Sequence, residues 1–346
     1  MAKTLHKQIN IQKIPEPDNT YTCSWHTDWA FGITNTGPQP STAAAPLRGS
    51  TPPSQLTSHP NILKLHLEFL HPCTREISII TIKTLRSGAT STTLQAKLAQ
   101  SNQLKILAIA KAVDFDRPLS PSARSEWSLL PPPNPTPNFK RVESGHKDSS
   151  WVTGRIKGEF LQFTERMLVL APRQGHKTDG VHDGWYKFIY RRNEDEHYSP
   201  DWECGVNNTL LTFLTDALPS MSDTLIRNDG AYDAHGIHGK MVKWEAADRQ
   251  DEGRPVTIWD IIKEAMKAQV FNNTVTLDIE FKRRVDPEKG NGWFFIRTVA
   301  KMLEKGRIDL NVVICDENME LLVVTQQTVL VLEAGRKFSK GRKAAL

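Results

Sequence analysis

The chain has 346 residues, 38% apolar and 24% charged, with a mean hydropathy of −0.45. At about 150 residues per domain that length predicts two domains, and the composition excludes a membrane-spanning, collagen-like or wholly disordered chain. Lys and Arg exceed Asp and Glu by 44 to 39, but Arg336, Lys337, Lys340, Arg342 and Lys343 all fall in the last eleven residues. A neutral body with a short basic tail gives no support to nucleic-acid binding, which needs basic residues interleaved with stacking aromatics.

The first residues, 1–13, hold no apolar run of the kind a secretory signal needs, and no stretch reaches the length of a membrane span. The expectation is a cytoplasmic protein with no membrane association. Cys23, Cys73, Cys204 and Cys315 show no CxxC pairing, so free thiols are expected. Six of the 21 prolines lie in residues 34–60 and seven in residues 118–137. Runs this rich in proline cannot continue a helix or a central strand. Between them, residues 63–70, 77–85, 92–100 and 105–115 read as strands. The second proline run reads as a linker.

Beyond the linker, Leu210, Leu211, Leu214 and Leu218 fall at helical spacing, with Asn207 or Asn208 as cap and Pro219 as stop. A second amphipathic helix is expected over 258–269, capped by Thr257. Residues 276–281 alternate Thr, Asp and Glu with Leu, Ile and Phe, the period of a half-buried strand. Further strands are expected over 293–299, 308–315 and 321–332, joined by short turns.

The strands repeat. Asn61-Ile-Leu-Lys-Leu-His-Leu-Glu-Phe69 aligns with Asn273-Thr-Val-Thr-Leu-Asp-Ile-Glu-Phe281 at an offset of 212, with Asn, Leu, Glu and Phe identical. Residues 79–88 then align with 297–306, and 104–110 with 321–327. The same order of elements on both sides indicates a duplicated unit.

These residues resemble a family. Tyr21-Thr-Cys-Ser-Trp25-His-Thr-Asp28-Trp29-Ala-Phe-Gly32 is similar to the start of the fungal thioesterase-like superfamily. His66-Leu-Glu-Phe-Leu70, residues 91–100, Thr276-Leu-Asp278-Ile-Glu-Phe281, Trp293, Lys305-Gly-Arg307, Asp316 and residues 321–327 continue the likeness. That superfamily is similar to acyl-CoA thioesterases carrying two hotdog domains in one chain. The resemblance implies an α+β double hotdog, two antiparallel sheets each wrapped on a central helix. Its expected parts are an N-terminal half over 15–117, a linker over 118–150, a C-terminal half with loop-rich insertions over 151–335, and the tail 336–346. The first helix is expected to be degenerate, because residues 36–53 replace its opening turn with prolines.

The resemblance also implies a site. In such thioesterases an Asp on the strand after the second helix acts with a Thr or Ser and a Gln to activate water. Asp278 occupies the Asp position, Gln327 best matches the Gln, with Gln326 one residue away, and the hydroxyl falls at Thr298 or Val299. Only Thr298 can serve. His66, the counterpart of Asp278 in the first copy, is a secondary candidate. Asn207, Asn208 and Trp29 are expected to contact substrate. The expected activity is thioester hydrolysis, with intramolecular cyclisation to a lactone or pyrone, product release from a polyketide pathway, or a non-catalytic scaffold as alternatives. Expected partners are an acyl-CoA or a carrier-protein-bound acyl or polyketide chain, and a second copy in a homodimer. No cofactor or metal is expected.

Two polar segments carry histidines at spacings that match no established zinc motif. One holds Asp233, His235 and His238 among glycines; the other holds His176, Asp179, His182 and Asp183. Both read as mobile surface loops. The nine tryptophans are expected in the core or lining a pocket, several of them between residues 127 and 259.

Overall fold

The computed structural model describes residues 9–25, 58–74, 76–117, 119–123, 125–158, 162–188, 208–216, 220–228, 232–247, 256–260, 269–285 and 292–333. The proline run at 34–57, where a degenerate first helix was expected, Trp29, Asn207 and the basic tail lie outside these residues.

The first copy contributes β1 (Ile9–Ile14), β2 (Thr20–Trp25), β3 (Asn61–Phe69), β4 (Ser78–Ser87), β5 (Thr92–Gln100) and β6 (Gln103–Val113). The second part holds α1 (Phe139–Glu143), β7 (Trp151–Gly158), a 3-10 turn (Gln162–Arg166), β8 (Met167–Pro172) and β9 (Val181–Phe188). It continues with α2 (Asn208–Leu214), α3 (Met221–Ile226), α4 (Ala234–Ala247), β10 (Val256–Asp260), β11 (Val270–Phe281), β12 (Phe294–Glu304), β13 (Arg307–Cys315) and β14 (Leu321–Glu333).

The two sheets expected from the sequence join edge to edge into one. Its order is β1-β2-β4-β5-β6-β3-β11-β14-β13-β12-β9-β8-β7-β10. Outward from the β3–β11 seam, each step in the first copy has a counterpart in the second. The seam is antiparallel, with Thr276, Leu277, Asp278, Ile279 and Glu280 facing Glu68, Leu67, His66, Leu65 and Lys64. In that register equivalent residues meet at one place, His66 against Asp278, so the pseudo-two-fold axis passes between them.

The irregularities are duplicated as well. In β3 the extra residue of a bulge is Leu63, and in β11 it is its repeat partner Val275. Another bulge sits at Lys105 in β6 and at Leu322 in β14, which the repeat also sets against each other. A bulge bends a strand and flips the faces of its side chains, so repeating one residue by residue is strong evidence of duplication.

One core covers the inner face across the seam. Leu65 and Leu67 of the first copy pack in the same cluster as Leu277, Ile279, Val312 and Val323 of the second, with Leu210, Leu211, Phe213 and Leu214 of α2 buried against them. Among the described residues the outer face is covered only in the second copy. There Leu129, Phe139 and Val142 pack on Trp151, Trp185, Trp293 and Phe295. The proline-rich stretch is thus a strap. Its carbonyls accept from the sheet: Arg297 Nη1 donates to Pro131 O at 2.6 Å and Trp151 Nε1 to Pro135 O at 2.7 Å.

Two local expectations are corrected. Residues 256–260 form β10, paired in parallel with β7, where the start of a helix was expected; the β-branched Val256, Thr257 and Ile258 favour that outcome. Residues 234–247 are helix α4, where a loop was expected. Asp233 caps it, accepting from His235 N at 2.9 Å, and Met241 and Ile237 pack on Val152 and Ala171. Gly154 admits that helix, since a Cβ there would lie 2.6 Å from Met241 Cε. Among the described residues no helix is long and apolar enough to cross a membrane.

Candidate active site

Alternation along β11 divides the expected residues between two faces. Leu277, Ile279 and Phe281 point inward and are buried, so Asp278 points outward. Its neighbours there are His66 across β3 and Gln326 across β14. His66 Nδ1 lies 3.1 Å from Asp278 Oδ1 and its Nε2 lies 3.1 Å from Glu68 Oε1. Lys64 Nζ lies 3.8 Å from Asp278 Oδ1, and the Asp278 side chain is 39% exposed. Lys282 and Arg284, nearby on the chain, pair with Glu280 and Asp116 and not with Asp278.

Thr298 and Gln327 take the inner face. Thr298 faces Val312, Val312 faces Thr325, and Leu310 faces Gln327. Gln327 Nε2 donates to the Thr215 carbonyl, tying β14 to the end of α2. The structure therefore brings Thr298 and Gln327 to one face and leaves Asp278 on the other, beside Gln326. The three do not meet in one cavity.

The inner face of the second copy has unmet hydrogen-bonding capacity. Among the described residues, Thr298 Oγ1, Thr325 Oγ1, His182 Nδ1 and Asn208 Oδ1 are buried without a partner. His182 stands directly across from Thr298. Buried polar atoms are rarely left unpaired, and each one calls for an explanation such as a ligand or water.

Beside this row lies Asp216, just past α2. Its carboxylate accepts from Thr274 Oγ1 at 3.1 Å. The bulge at Val275 makes that contact: Thr274 faces Val329 and so turns inward, although it is an odd number of residues from Leu277. Burial pushes the Asp216 carboxyl up to about 7, with the Thr274 hydroxyl opposing the shift.

The comparisons with known proteins agree with this architecture. The acyl-CoA thioesterase N-terminal domain family matches residues 25–113, and the acyl-CoA thioesterase C-terminal domain family matches residues 132–331. The chain belongs to the acyl-CoA thioesterase family. A hot-dog-fold protein from Alicyclobacillus acidocaldarius superposes with TM-score 0.60 at 14% identity, over 95% of this chain and 98% of that one. Acyl-CoA thioesterase II TesB2 from Mycobacterium marinum gives 0.52 at 13% identity, over 94% and 97%. These likenesses show the fold, a double hotdog. In sequence, the thioesterase-like protein TwmA of Talaromyces wortmannii is 20% identical over 207 residues. That match takes in 59% of this chain and 53% of TwmA, so the chain spans about half the length of that curated relative.

One cluster of this thioesterase-family chain escaped the sequence. The two histidine segments, read as separate loops, come together. The His176 ring lies 4.5 Å from that of His182, 5.7 Å from His235 and 6.4 Å from His238. His238 Nε2 donates to the Arg173 carbonyl at 3.2 Å. Burial and the neighbouring imidazoles press His176 down to about 2 and His182 down to about 4. Among the described residues no three ligating side chains converge as a metal site. The ring contacts bring α4 against the segment that joins β8 to β9. Asp216 also escaped, because an Asp ahead of a proline reads as an ordinary helix end.

Proposed function

We propose that this chain cleaves a thioester-linked acyl or polyketide chain by hydrolysis, with a carboxylate-activated water attacking the carbonyl. The observation that carries the reading is the occurrence of both acyl-CoA thioesterase domain families, in order, in one chain. Hydrolysis needs a base for water and hydrogen-bond donors for the developing oxyanion. The inner face offers an amide and unpaired hydroxyls close to a buried carboxylate. The seam offers Asp278, hydrogen-bonded to His66. Asp278 is the strand carboxylate of the family pattern and is the first to test, while Thr298 and Gln327 would polarise or hold a carbonyl bound on the opposite, inner face. The acyl carrier would be coenzyme A or a carrier-protein arm.

The test is mass spectrometry after incubation with a panel of acyl-CoA and acyl-cysteamine thioesters. Free acid is the expected product, and Asp278→Asn should slow its release by about 100-fold or more, the usual worth of a positioned base. Unchanged turnover in that variant removes Asp278 from the mechanism. A cyclised product identifies a cyclase, and binding without turnover identifies a scaffold.

A further inference from the structure

We propose that Asp216 is the carboxylate that activates water on the inner face of the second copy, with Thr274 as its positioning residue. The inference rests on the thioester reading above and deepens it by naming the base that works beside Thr298 and Gln327.

Four observations converge on this residue. First, position: Asp216 follows directly on Thr215, whose carbonyl is held by Gln327. Thr274, its hydroxyl partner, faces Val329, which is the next inward residue on β14 after Gln327. The carboxylate therefore sits on the same inner patch as the amide, whereas Asp278 does not.

Second, construction: only the bulge at Val275 turns Thr274 inward to reach it. Bulges concentrate next to active sites because they re-aim a side chain. The first copy has the same bulge, but Ile62 stands where Thr274 does, so that copy cannot make the contact.

Third, energetics: the only described side chain that hydrogen-bonds to the carboxylate is one hydroxyl. Among the described residues, burial raises its titration and Thr274 lowers it. Asp223 on α3, another buried carboxylate, accepts from Asn228 Nδ2 at 2.5 Å and has a second side-chain partner in Ser220. Asp216 also follows the C-terminal turn of α2, where the helix dipole disfavours a negative charge. A carboxylate in this setting stabilises the fold poorly, and an amide of the same shape would serve better.

Fourth, access: Asp216 is enclosed by the core yet half-buried, not fully buried. Part of the residue's surface is in reach of solvent while burial dominates at the carboxyl. A carboxyl tuned to near neutrality is suited to accept a proton and return it within one cycle.

The step balances. The Asp216 carboxylate takes a proton from water as the water oxygen bonds to the thioester carbon. The resulting oxyanion collapses, the C–S bond breaks, and the proton on Asp216 passes to the departing sulfur. The products are a carboxylic acid and a thiol.

The experiment is the pH profile of kcat/KM on the best thioester from the panel, for wild type, Asp216→Asn, Thr274→Val and Asp278→Asn, with urea unfolding of each. In wild type kcat/KM should fall on the acid side of about pH 7. Asp216→Asn should cut kcat/KM by about 100-fold or more while holding or raising stability, a combination that a structural role does not produce. Thr274→Val removes the bond that favours the ionised form, so the acid limb should move to higher pH. This second variant keeps the proposal testable whatever the folding of the first. Wild-type rates in Asp216→Asn, or an unmoved limb in Thr274→Val, overturn the proposal. If turnover fails in Asp278→Asn alone, the thioester reading stands and the Asp216 assignment falls. Absence of turnover on every thioester by wild type removes both.

Discussion

Outward from the seam along one row of the inner face, the second copy presents Ile279, Thr325, Val312 and Thr298. The matching row of the first copy presents Leu67, Ala108, Ala96 and Ile82. In the adjoining rows Gln327 answers to Ala110 and Thr274 to Ile62. At Thr325, Thr298, Gln327 and Thr274 a polar side chain of the second copy stands where the first copy has a buried apolar one. The backbone was duplicated down to its bulges, but the inner chemistry belongs to one half. Alanine and isoleucine need no partner in a core. The hydroxyls and amide are retained although burying an unmet polar group costs about 1–3 kcal/mol. Among the described residues, the two halves share a backbone and differ in the polarity of these inner positions.

The outer faces differ too. On β12 the outward Phe295 and Arg297 lie beneath the strap and are buried, whereas the outward Ile79 of β4 is 45% exposed. Breaking that cover gives the largest expected effect on stability. Arg297 is held by both carboxylate oxygens of Asp183, at 2.6 and 2.7 Å, and its Nη1 donates to Pro131 O. Asp183→Ala leaves a buried guanidinium without its counter-ion, which should cost about 3–5 kcal/mol. Ile79→Ala on the first copy should cost under about 1 kcal/mol, because half of its surface is already in water. Urea unfolding measures both. Equal costs would mean that the strap does not set the two halves apart.

A smaller effect should appear in the pH dependence of stability. His182 is held near 4 in the folded chain against about 6.5 when unfolded. Between those values the unfolded state binds the extra proton, so stability falls as pH drops from 6.5 towards 4. The loss is about 1–2 kcal/mol between pH 6.5 and 5 for one such group. Asp216 works in the opposite sense: raised to about 7, it binds its proton in the folded state and lowers stability as pH rises from about 4 to 7. His182→Gln should flatten the acid-side slope of the unfolding free energy, and Asp216→Asn should flatten the neutral side. If neither slope changes, the histidine cluster and the inner carboxylate are better hydrated than their burial implies.

The sequence made the strands legible because one face of each had to alternate apolar residues with polar ones. It made the duplication legible because Asn61–Phe69 and Asn273–Phe281 keep Leu, Glu and Phe in place. The strap was hidden, since a proline run reads as a linker until Phe139 is seen stacked 5.5 Å from Trp293. The histidine cluster was hidden for another reason: His176 and His238 meet only through the packing of α4 on β7 and β8. The face assignments needed the register. Asp278, Thr298 and Gln327 are equally plausible residues in one dimension, and only strand pairing places Gln326 beside Asp278 and Gln327 beside α2.

The smallest expected stability change is also the sharpest on what separates the halves. Thr325 and Ala108 occupy equivalent places, and the Thr325 hydroxyl has no partner among the described residues. Thr325→Val keeps the shape and removes the unmet group, so stability should stay within about 0.5 kcal/mol of wild type or rise. Ala108→Thr makes the reverse change in the first copy, adding bulk and an unpaired hydroxyl to a closed core, and should cost about 1–3 kcal/mol. Urea unfolding of the two variants gives the comparison. If the Thr325 hydroxyl meets the substrate, the silent change in stability will be accompanied by a rise in KM for the thioester, while Ala108→Thr leaves KM alone. Destabilisation by Thr325→Val would instead show that the hydroxyl is engaged within the fold, and the inner face of the second copy would then be as self-sufficient as that of the first.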